Sequence, residues 1–553
     1  MARGTVKVNA RPVDRTADEN ALGRALALFA LTALSVAMVW WWLGRPVVLP
    51  PSPLAGGQKV YCVSYAPYRD GQTPLVEGTH VAGAQIDSDL TLLSKYTDCV
   101  RTYAVDQGLD QVPEIAQRHG LKVLLGIWLS GKAEKDRGQI ATAIALGKKF
   151  PDTIRAIIVG NEVLLRGDMS APDLARIIRE IKTQVPEPVT YADVWEFWLR
   201  YSELASVVDF VTIHILPYWE DFPLPARLAA AHVDAIRKRV AAAIPNKEIM
   251  IGEFGWPSAG RMREGARPSP SNQARVIEET LALAQRENFR ANVIEAFDQP
   301  WKRWLEGTVG GYWGIFDRGT GAPKFNLAGG PVSDHPHWEI QALAGILLSG
   351  LAFAAAYAAG RKKPRPQFFW WRIAALSFLP AVLFGWTIET VPTESYSVGG
   401  WIRSLALAAV AAAGPIACAA ACAAQQPSPT FATLLERRDK SHDALRLALG
   451  LVFSVLFLLA IEAALGLSFE PRYRDIPFAS LCAGVVPFLV LLYSTPRQIG
   501  SRAIAEFAGA VVLAASAVYI LFDESLANWQ AVWFCADLLC LALILALARD
   551  VPS

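Results

Sequence analysis

Residues 154–162 read IRAIIVGNE, a β-branched apolar run that ends in an amide and a carboxylate. A short apolar run of this kind predicts a buried strand. Similar runs recur along residues 60–300, and most of them are separated by amphipathic segments such as Asp110–His119 and Asp173–Thr183. The predicted strands are Val60–Tyr65, Cys99–Tyr103, Lys122–Trp128, Ile154–Gly160, Val189–Asp193, Phe210–His214, Glu248–Glu253 and Asn292–Phe297.

Alternating strands and helices predict a parallel sheet, and eight such units in about 240 residues fit a closed (β/α)8 TIM barrel. An open doubly wound sheet is the alternative, but no glycine-rich dinucleotide fingerprint follows the first strand. In a barrel, chemistry lies where the strands end. Several predicted strands end in polar or aromatic residues, namely Tyr65, Tyr103, Trp128, Asn161, Glu162, Asp193, His214 and Glu253.

The rest of the chain is unusually apolar. Hydrophobic residues make up 53% of the 553 residues, and mean hydropathy is +0.26. Apolar runs of about 20 residues are long enough to span a bilayer. We predict spans at 26–43, 340–359, 369–388, 402–424, 445–467, 478–494, 504–522 and 529–548. The predicted division is an N-terminal segment (1–24), a transmembrane helix (25–43), the α/β barrel (46–336) and an all-α, seven-helix transmembrane domain (337–553).

The basic residues predict how the chain crosses the membrane, because Lys and Arg favour the cytoplasmic side. They occur before the first span and in the loops at 361–365, 437–440 and 497–502, whereas the alternate loops are acidic or sparse apart from Arg472 and Arg474. Both ends are therefore predicted inside and the barrel outside. A signal peptide is the alternative for the first span, but Trp40–Trp42 stands where a small-residue cleavage site would follow.

Two glutamates fit the chemistry of glycoside cleavage, which needs a carboxylic acid to protonate the leaving oxygen and a second carboxylate. We predict Glu162, after the fourth strand, as acid/base and Glu253, at the end of the seventh, as nucleophile. Asn161 would bond a sugar hydroxyl beside the reacting carbon. Tyr218 would donate to Glu253 and keep it ionised. A lone glutamate is usually a solvated surface charge, but two at barrel strand ends favour catalysis.

Aromatic rings near strand ends are candidates for stacking on glucose, although a single aromatic is more often part of a core. These candidates are Tyr65, Tyr68, Trp128, Trp195, Trp198, Trp219, Trp256 and Trp301. The predicted substrate-binding set is Tyr65, Tyr103, Trp128, Asn161, Asp193, His214, Tyr218, Trp256, Trp301 and Lys302. We expect no cofactor, metal or nucleic acid, since no such motif occurs. Cys62 and Cys99 lie on neighbouring predicted strands, where either a disulfide or two buried thiols would fit.

The motifs around both glutamates resemble those of glycoside hydrolase family 17, the β-1,3-glucanase family. Residues 251–258 (IGEFGWPS) resemble its nucleophile motif, and residues 159–162 (VGNE) resemble its acid/base motif. Further similar runs are VRTY at 100–103, GIW at 126–128, AFDQPWK at 296–302 and WGIFD at 313–317. The resemblance implies a TIM barrel that acts on β-1,3-linked glucose with retention of configuration. The run HILP at 214–217 departs from the Asn- and Tyr-containing run of eukaryotic members.

Bacterial relatives fused to membrane spans resemble glucan-remodelling transferases, some of them described as β-1,6-glucan synthases. This resemblance implies a periplasmic β-glucan transglycosylase on the bacterial inner membrane that forms β-1,6 links or branches beside a glucan synthesis partner. Endo-β-1,3-glucan hydrolysis is one alternative. A non-catalytic glucan-binding transporter or scaffold is another, because Glu462 and Asp537 lie within predicted spans, where carboxylates suggest a function.

Overall fold

The computed structural model describes residues 15–361, 366, 368–431, 444–495 and 500–550. Eight parallel strands pair in chain order, and the last pairs with the first, so the predicted closed barrel is confirmed. The strands are β1 (Cys62–Ser64), β2 (Cys99–Arg101), β3 (Lys122–Ile127), β4 (Ile154–Asn161), β5 (Val189–Val194), β6 (Val211–His214), β7 (Ile249–Phe254) and β8 (Ala291–Val293).

Every strand is almost wholly buried, which explains why the strands read as continuous apolar runs and not as alternating ones. The helices before and around the barrel are α1 (Arg15–Leu43), α2 (Gly83–Leu93), α3 (Val112–Arg118), α4 (Ala133–Lys149), α5 (Ala171–Lys182), α6 (Trp195–Arg200), α7 (Ala226–Ala243), α8 (Pro270–Glu287) and α9 (Arg303–Gly310). Cys62 on β1 and Cys99 on β2 form a disulfide, which resolves the choice that the sequence left open.

The remaining helices form a bundle with α1. They are α10 (Trp338–Ala359), α11 (Phe369–Glu394), α12 (Ser397–Ala424), α13 (Ala444–Phe469), α14 (Phe478–Ser494), α15 (Ile504–Glu524) and α16 (Trp529–Ala546). Among the described residues, seven helices are long and apolar enough to cross a membrane, including residues 21–43 of α1. The eighth predicted span is α14, which has only 17 residues.

Some predictions fall partly outside the described residues. Ten of the basic residues that predicted the orientation of the chain lie outside the described residues. They are Arg3, Lys7, Arg11, Lys362, Lys363, Arg365, Arg437, Arg438, Lys440 and Arg497. Arg502, another of these basic residues, is described. It lies in β9 (Ser501–Arg502), which pairs with β10 (Arg549–Asp550) in a two-stranded antiparallel ribbon. Of the two carboxylates expected within spans, Asp537 is buried on α16, whereas Glu462 is partly exposed and pairs with Arg403.

The barrel is inserted between α1 and α10, and the two connecting segments run side by side. Val47 and Val332 exchange backbone hydrogen bonds of 2.8 and 3.0 Å. The loop after β7 also reaches the bundle, where the buried Arg261 pairs with Glu524 at the end of α15. The carboxyl-terminal mouth of the barrel therefore faces the bundle.

Helix α9, which follows β8, makes a second contact with the bundle. Thr308 donates a 2.6 Å hydrogen bond to Asp475 in the loop between α13 and α14. Gly307 has a φ of +69°, and a side chain there would collide with the backbone carbonyl of Tyr473. Glycine at this position therefore lets α9 approach the bundle backbone to backbone.

Candidate active site

The two predicted catalytic carboxylates meet at the mouth of the barrel. Glu162 directly follows β4, and Glu253 lies within β7, three strands further round the barrel. One oxygen of each carboxylate and a ring nitrogen of His214 all lie within 4.8 Å of one another. This spacing fits the carboxyl separation of about 5–5.5 Å in retaining glycosidases.

Glu253 is held by a cation and a hydroxyl. Its Oε1 accepts hydrogen bonds of 2.9 Å from Arg101 and 2.8 Å from Tyr103, and the residue is only 4% exposed. Burial raises the pKa of Glu253, but His214, Arg101, Lys302 and the Tyr103 hydroxyl together outweigh it, so its pKa is lowered. Glu253 is therefore a buried carboxylate that stays ionised.

Arg101 connects three strands beneath the mouth. Its guanidinium donates to the Gly252 carbonyl at 2.7 Å and to Asn161 Oδ1 at 2.6 Å, in addition to Glu253. A fully buried arginine needs this many acceptors, because an uncompensated charge in the interior is costly. Arg101 thus orients Asn161 and the nucleophile candidate together.

Glu162 faces His214 and has an uncommon backbone conformation. The distance from Glu162 Oε1 to His214 Nδ1 is 2.7 Å, so a proton lies between the two groups, on the carboxyl or on the ring. Glu162 has a φ of +53°, a region that costs a residue with a side chain about 1–3 kcal/mol and that occurs preferentially at functional sites. This turn directs the Glu162 side chain over the barrel mouth toward Glu253.

Glu162, His214 and Glu253 offer three metal-ligating atoms, but the surrounding charge does not favour a cation. The Arg101 guanidinium lies 2.9 Å from Glu253 Oε1 and 3.3 Å from His214 Nε2. An ion shared by these atoms would be repelled by the guanidinium. The residues thus fit a carboxylate pair better than a metal centre.

Five members of the predicted substrate-binding set are fully buried, and Tyr218 does not make the hydrogen bond to Glu253 that was predicted for it. Tyr218 donates to the Arg261 carbonyl at 2.9 Å, so Tyr103, and not Tyr218, holds Glu253. Tyr65, Asp193 and Trp256 are fully buried and bond Asp89, Tyr191 and the Arg267 carbonyl, respectively. His214, also fully buried, lies beneath the carboxylate pair, and its ring nitrogens face Glu162, Arg101 and Glu253.

The other aromatic candidates differ in how deeply they are buried. Trp198 and Tyr68 are buried, and Trp195, Trp219 and Trp301 are partly buried. Trp128 at the end of β3 is 37% exposed, and the Arg166 guanidinium lies 4.2 Å from its ring centroid. Trp128 is therefore the predicted stacking residue that presents most surface at the mouth.

Residues missed by the sequence analysis complete the site. Glu295, just after β8, is fully buried, and its Oε1 lies 2.9 Å from Lys302 Nζ. Burial raises the pKa of Glu295 to about 7, although Lys302 opposes this rise. Ser64 Oγ lies 2.9 Å from the Tyr103 hydroxyl and accepts from Asn292 at 2.8 Å. The sequence did offer a signal for the role of Arg101: an arginine within the otherwise apolar strand β2 indicates a buried charge, and a buried charge implies a buried partner.

Residues 62–314 match the model of the BtgE/BtgC glycoside hydrolase domain. The barrel matches a glycoside hydrolase domain, in agreement with the resemblance of its motifs to family 17. It is 28% identical over 263 residues to a glucan 1,3-beta-glucosidase of Arthroderma benhamiae, a match that spans 44% of this chain and 84% of the relative. A glucan 1,3-beta-glucosidase of Schizosaccharomyces pombe is 29% identical over 236 residues, which is 39% of this chain and 72% of that protein.

Among solved structures, the barrel is similar to the glycoside hydrolase family 17 β-1,3-glucanosyltransferase from Rhizomucor miehei. The identity is 24%, the TM-score is 0.44, and the match covers 49% of this chain and 98% of that one. The bundle from α10 onward lies outside the matched family domain.

Proposed function

We propose that this protein is a membrane-anchored retaining β-glucan transglycosylase that acts on β-1,3-linked glucan. The observation that carries the proposal is the carboxylate pair, with Glu162 and Glu253 oxygens within 4.8 Å and the pKa of Glu253 lowered. The names of the related glucan 1,3-beta-glucosidases support β-1,3-linked glucose as the substrate class.

In the first step, Glu253 attacks the anomeric carbon of the donor glucan. The glycosidic C–O bond breaks, and Glu162 gives its proton to the leaving oxygen. The 2.7 Å contact with His214 provides a place where this proton is held next to the reacting bond. Arg101 and Tyr103 hold the attacking carboxylate in position, which lowers the cost of orienting it in the transition state.

In the second step, a sugar hydroxyl attacks the anomeric carbon of the glucosyl–Glu253 ester. Glu162, now a carboxylate, takes the proton of the attacking hydroxyl, and the bond to Glu253 breaks. Two inversions give overall retention. Water in place of the acceptor would give hydrolysis, which is the alternative function, and an acceptor 6-hydroxyl would give a β-1,6 link or branch.

The proposed location is the bacterial inner membrane, with the barrel in the periplasm and both termini in the cytoplasm. The bundle segments that contact the barrel, near residues 393, 471–475 and 524–530, belong to loops that the charge pattern predicted outside. The Cys62–Cys99 disulfide also suits an oxidising compartment. The domain boundaries at 24, 43, 46 and 336 belong to this proposal.

Incubation of the detergent-solubilised full chain with laminari-oligosaccharides tests the proposal. Transfer predicts products longer than the donor, and linkage analysis of these products distinguishes β-1,3 elongation from β-1,6 branching. Products limited to glucose and shorter oligomers would replace transfer with hydrolysis. Unchanged glucan processing by the Glu162→Gln and Glu253→Gln variants would instead favour the non-catalytic scaffold.

A further inference from the structure

A cavity of about 490 Å³ lies between the barrel and the bundle. Helix α9 of the barrel lines one side, and the outer ends of α11, α12 and α13 with the 473–475 loop line the other. Its volume falls within the range of about 300–1,000 Å³ typical of small-ligand sites.

Helix α9 also connects this cavity to the carboxylate pair. Arg303 and Gly307 line the cavity. Lys302, directly before α9, lies 2.9 Å from the buried Glu295 beside the barrel mouth. The pKa of Glu306 on α9 is raised by burial, an effect that Lys302 opposes and that the charges of Glu162 and Glu253 increase. A molecule in the cavity would therefore be separated from the catalytic cleft by a single short helix.

The lining has the chemistry of a carbohydrate site. Arg403 pairs with Glu462 at 2.9 Å, and the Arg303 guanidinium lies 5.0 Å from the centroid of the Tyr396 ring. Trp304 at the rim is 72% exposed. Planar charged groups that bond hydroxyls, beside rings that stack on sugar faces, are the means by which proteins hold neutral sugars.

Two buried polar atoms in the cavity wall have no hydrogen-bond partner in the part of the chain that the structure describes. They are Arg303 Nε and Asp475 Oδ1. Burial of a donor or acceptor without a partner costs free energy, and most such groups are satisfied by protein, water or a ligand. A donor and an acceptor left over in one cavity suit the hydroxyl groups of a sugar.

The charges of the lining argue against an anionic occupant such as a lipid headgroup. Three arginines and three acids line the cavity, and all of them except Arg303 belong to the bundle side: Arg303, Arg403 and Arg474 with Glu394, Glu462 and Asp475. A site for a phosphate would carry an excess of positive charge. This arrangement also accounts for Arg474, one of the two basic residues that broke the charge pattern of the outer loops.

We propose that this cavity is a second carbohydrate-binding site, which holds a neutral β-glucan acceptor next to the catalytic cleft. The inference rests on the proposed transglycosylase function and deepens it. It gives the helical bundle a part in substrate binding beyond anchoring, because α11, α12 and α13 supply six of the fourteen lining residues.

The test uses the full chain in zwitterionic-lipid nanodiscs with laminaritriose as acceptor. In Trp304→Ala and Asp475→Asn variants we expect the KM for the acceptor to rise about 10-fold, as for the loss of one stacking or hydrogen-bonding contact. Hydrolysis of the donor in the absence of acceptor should stay unchanged. Trp371→Ala is the matched control, since Trp371 is 57% exposed on α11 at the end opposite Glu394. An unchanged acceptor KM in both cavity variants would overturn the inference.

A binding measurement separates this inference from the proposed function. The Glu253→Gln chain is titrated with laminaritriose in a calorimeter. When the Trp304→Ala and Asp475→Asn substitutions are added, we expect one binding site to be lost or its Kd to rise about 10-fold. This result would support the cavity site even if the wild type proved to be a hydrolase. An unchanged isotherm would refute the site. So would an effect of the substitutions that occurs only in nanodiscs of anionic lipid, because a lipid headgroup would then be the occupant.

Discussion

At the residue scale, the site depends on how a carboxylate can be both buried and ionised. Glu253 achieves this through the Arg101 guanidinium and the Tyr103 hydroxyl, whose hydrogen bonds favour its charged form. A nucleophile in this state is ready to attack without first losing a proton. The two tyrosines near β6 and β2 offer a direct comparison, because Tyr103 contacts Glu253 and Tyr218 does not.

We predict that Tyr103→Phe lowers kcat by about 10–100-fold and moves the acid limb of kcat/KM to higher pH. The pKa of Glu253 is lowered in the folded protein, and loss of the hydroxyl raises it. A larger fraction of the nucleophile is then protonated at a given acid pH. The measurement is kcat/KM against pH on a laminari-oligosaccharide.

Tyr218→Phe is the matched control for this variant. It loses a hydrogen bond to the Arg261 carbonyl and should leave the acid limb where it is in the wild type. If Tyr218→Phe moved the limb and Tyr103→Phe did not, the assignment of Tyr103 would be wrong.

At the element scale, the disulfide joins the first two strands of the barrel. Cys62 and Cys99 are 37 residues apart, and a cross-link that closes a loop of this length stabilises a fold by about 4 kcal/mol in the chain-entropy description. β1 and β2 are strands of only three residues each, so the covalent link supplements a short hydrogen-bonded ladder.

We predict that the Cys62→Ser/Cys99→Ser double variant lowers the Tm of the barrel by about 8–16 °C, at 2–4 °C for each kcal/mol. Differential scanning calorimetry of the solubilised chain measures this, with Cys540→Ser, which removes a thiol of the bundle, as control. A melting transition that is unaffected by the double substitution and by dithiothreitol would show that the strands are not linked in the protein.

The strands and the carboxylates could be predicted from the sequence because both are local. The run at 154–162 is apolar and ends in Asn161-Glu162, so it predicts a buried strand with candidate site residues at its carboxyl end. The partner of Glu253 is not local, since Tyr103 and Tyr218 follow different strands, β2 and β6, and only closure of the barrel decides which hydroxyl reaches Glu253. For the same reason, the hydrogen bonds of Arg101 and the contact of α9 with the bundle could not be derived from residue patterns.

At the scale of the whole molecule, the barrel is held by two antiparallel linkers and by segments at its own carboxyl-terminal mouth. Arg261 on the loop after β7 and Thr308 on α9, the helix after β8, both bond the bundle. The mouth is thereby fixed next to the ends of the helices, where a glucan at the membrane surface would meet it. A catalytic domain on a free tether would not have this constraint.

We predict that the barrel and the β9–β10 ribbon lie on opposite sides of the membrane. A cysteine placed at the exposed Lys135 on α4 should react with an impermeant maleimide in intact cells. A cysteine at the exposed Ser501 should react only after the cells are permeabilised. The five free cysteines of the bundle are replaced by serine in both variants. The reverse labelling pattern would contradict the proposed orientation.

The central claim, that Glu253 is the nucleophile of a retaining enzyme and Glu162 its acid/base, is tested most directly by trapping the covalent intermediate. A 2-deoxy-2-fluoroglucosyl donor with a good leaving group slows the second step, so the sugar accumulates on the attacking carboxylate. Peptide mass spectrometry should find one fluoroglucosyl group on the peptide that contains Glu253, and none in the Glu253→Gln variant. A label on another residue, or turnover of the donor with no covalent adduct and with inverted product, would contradict the claim.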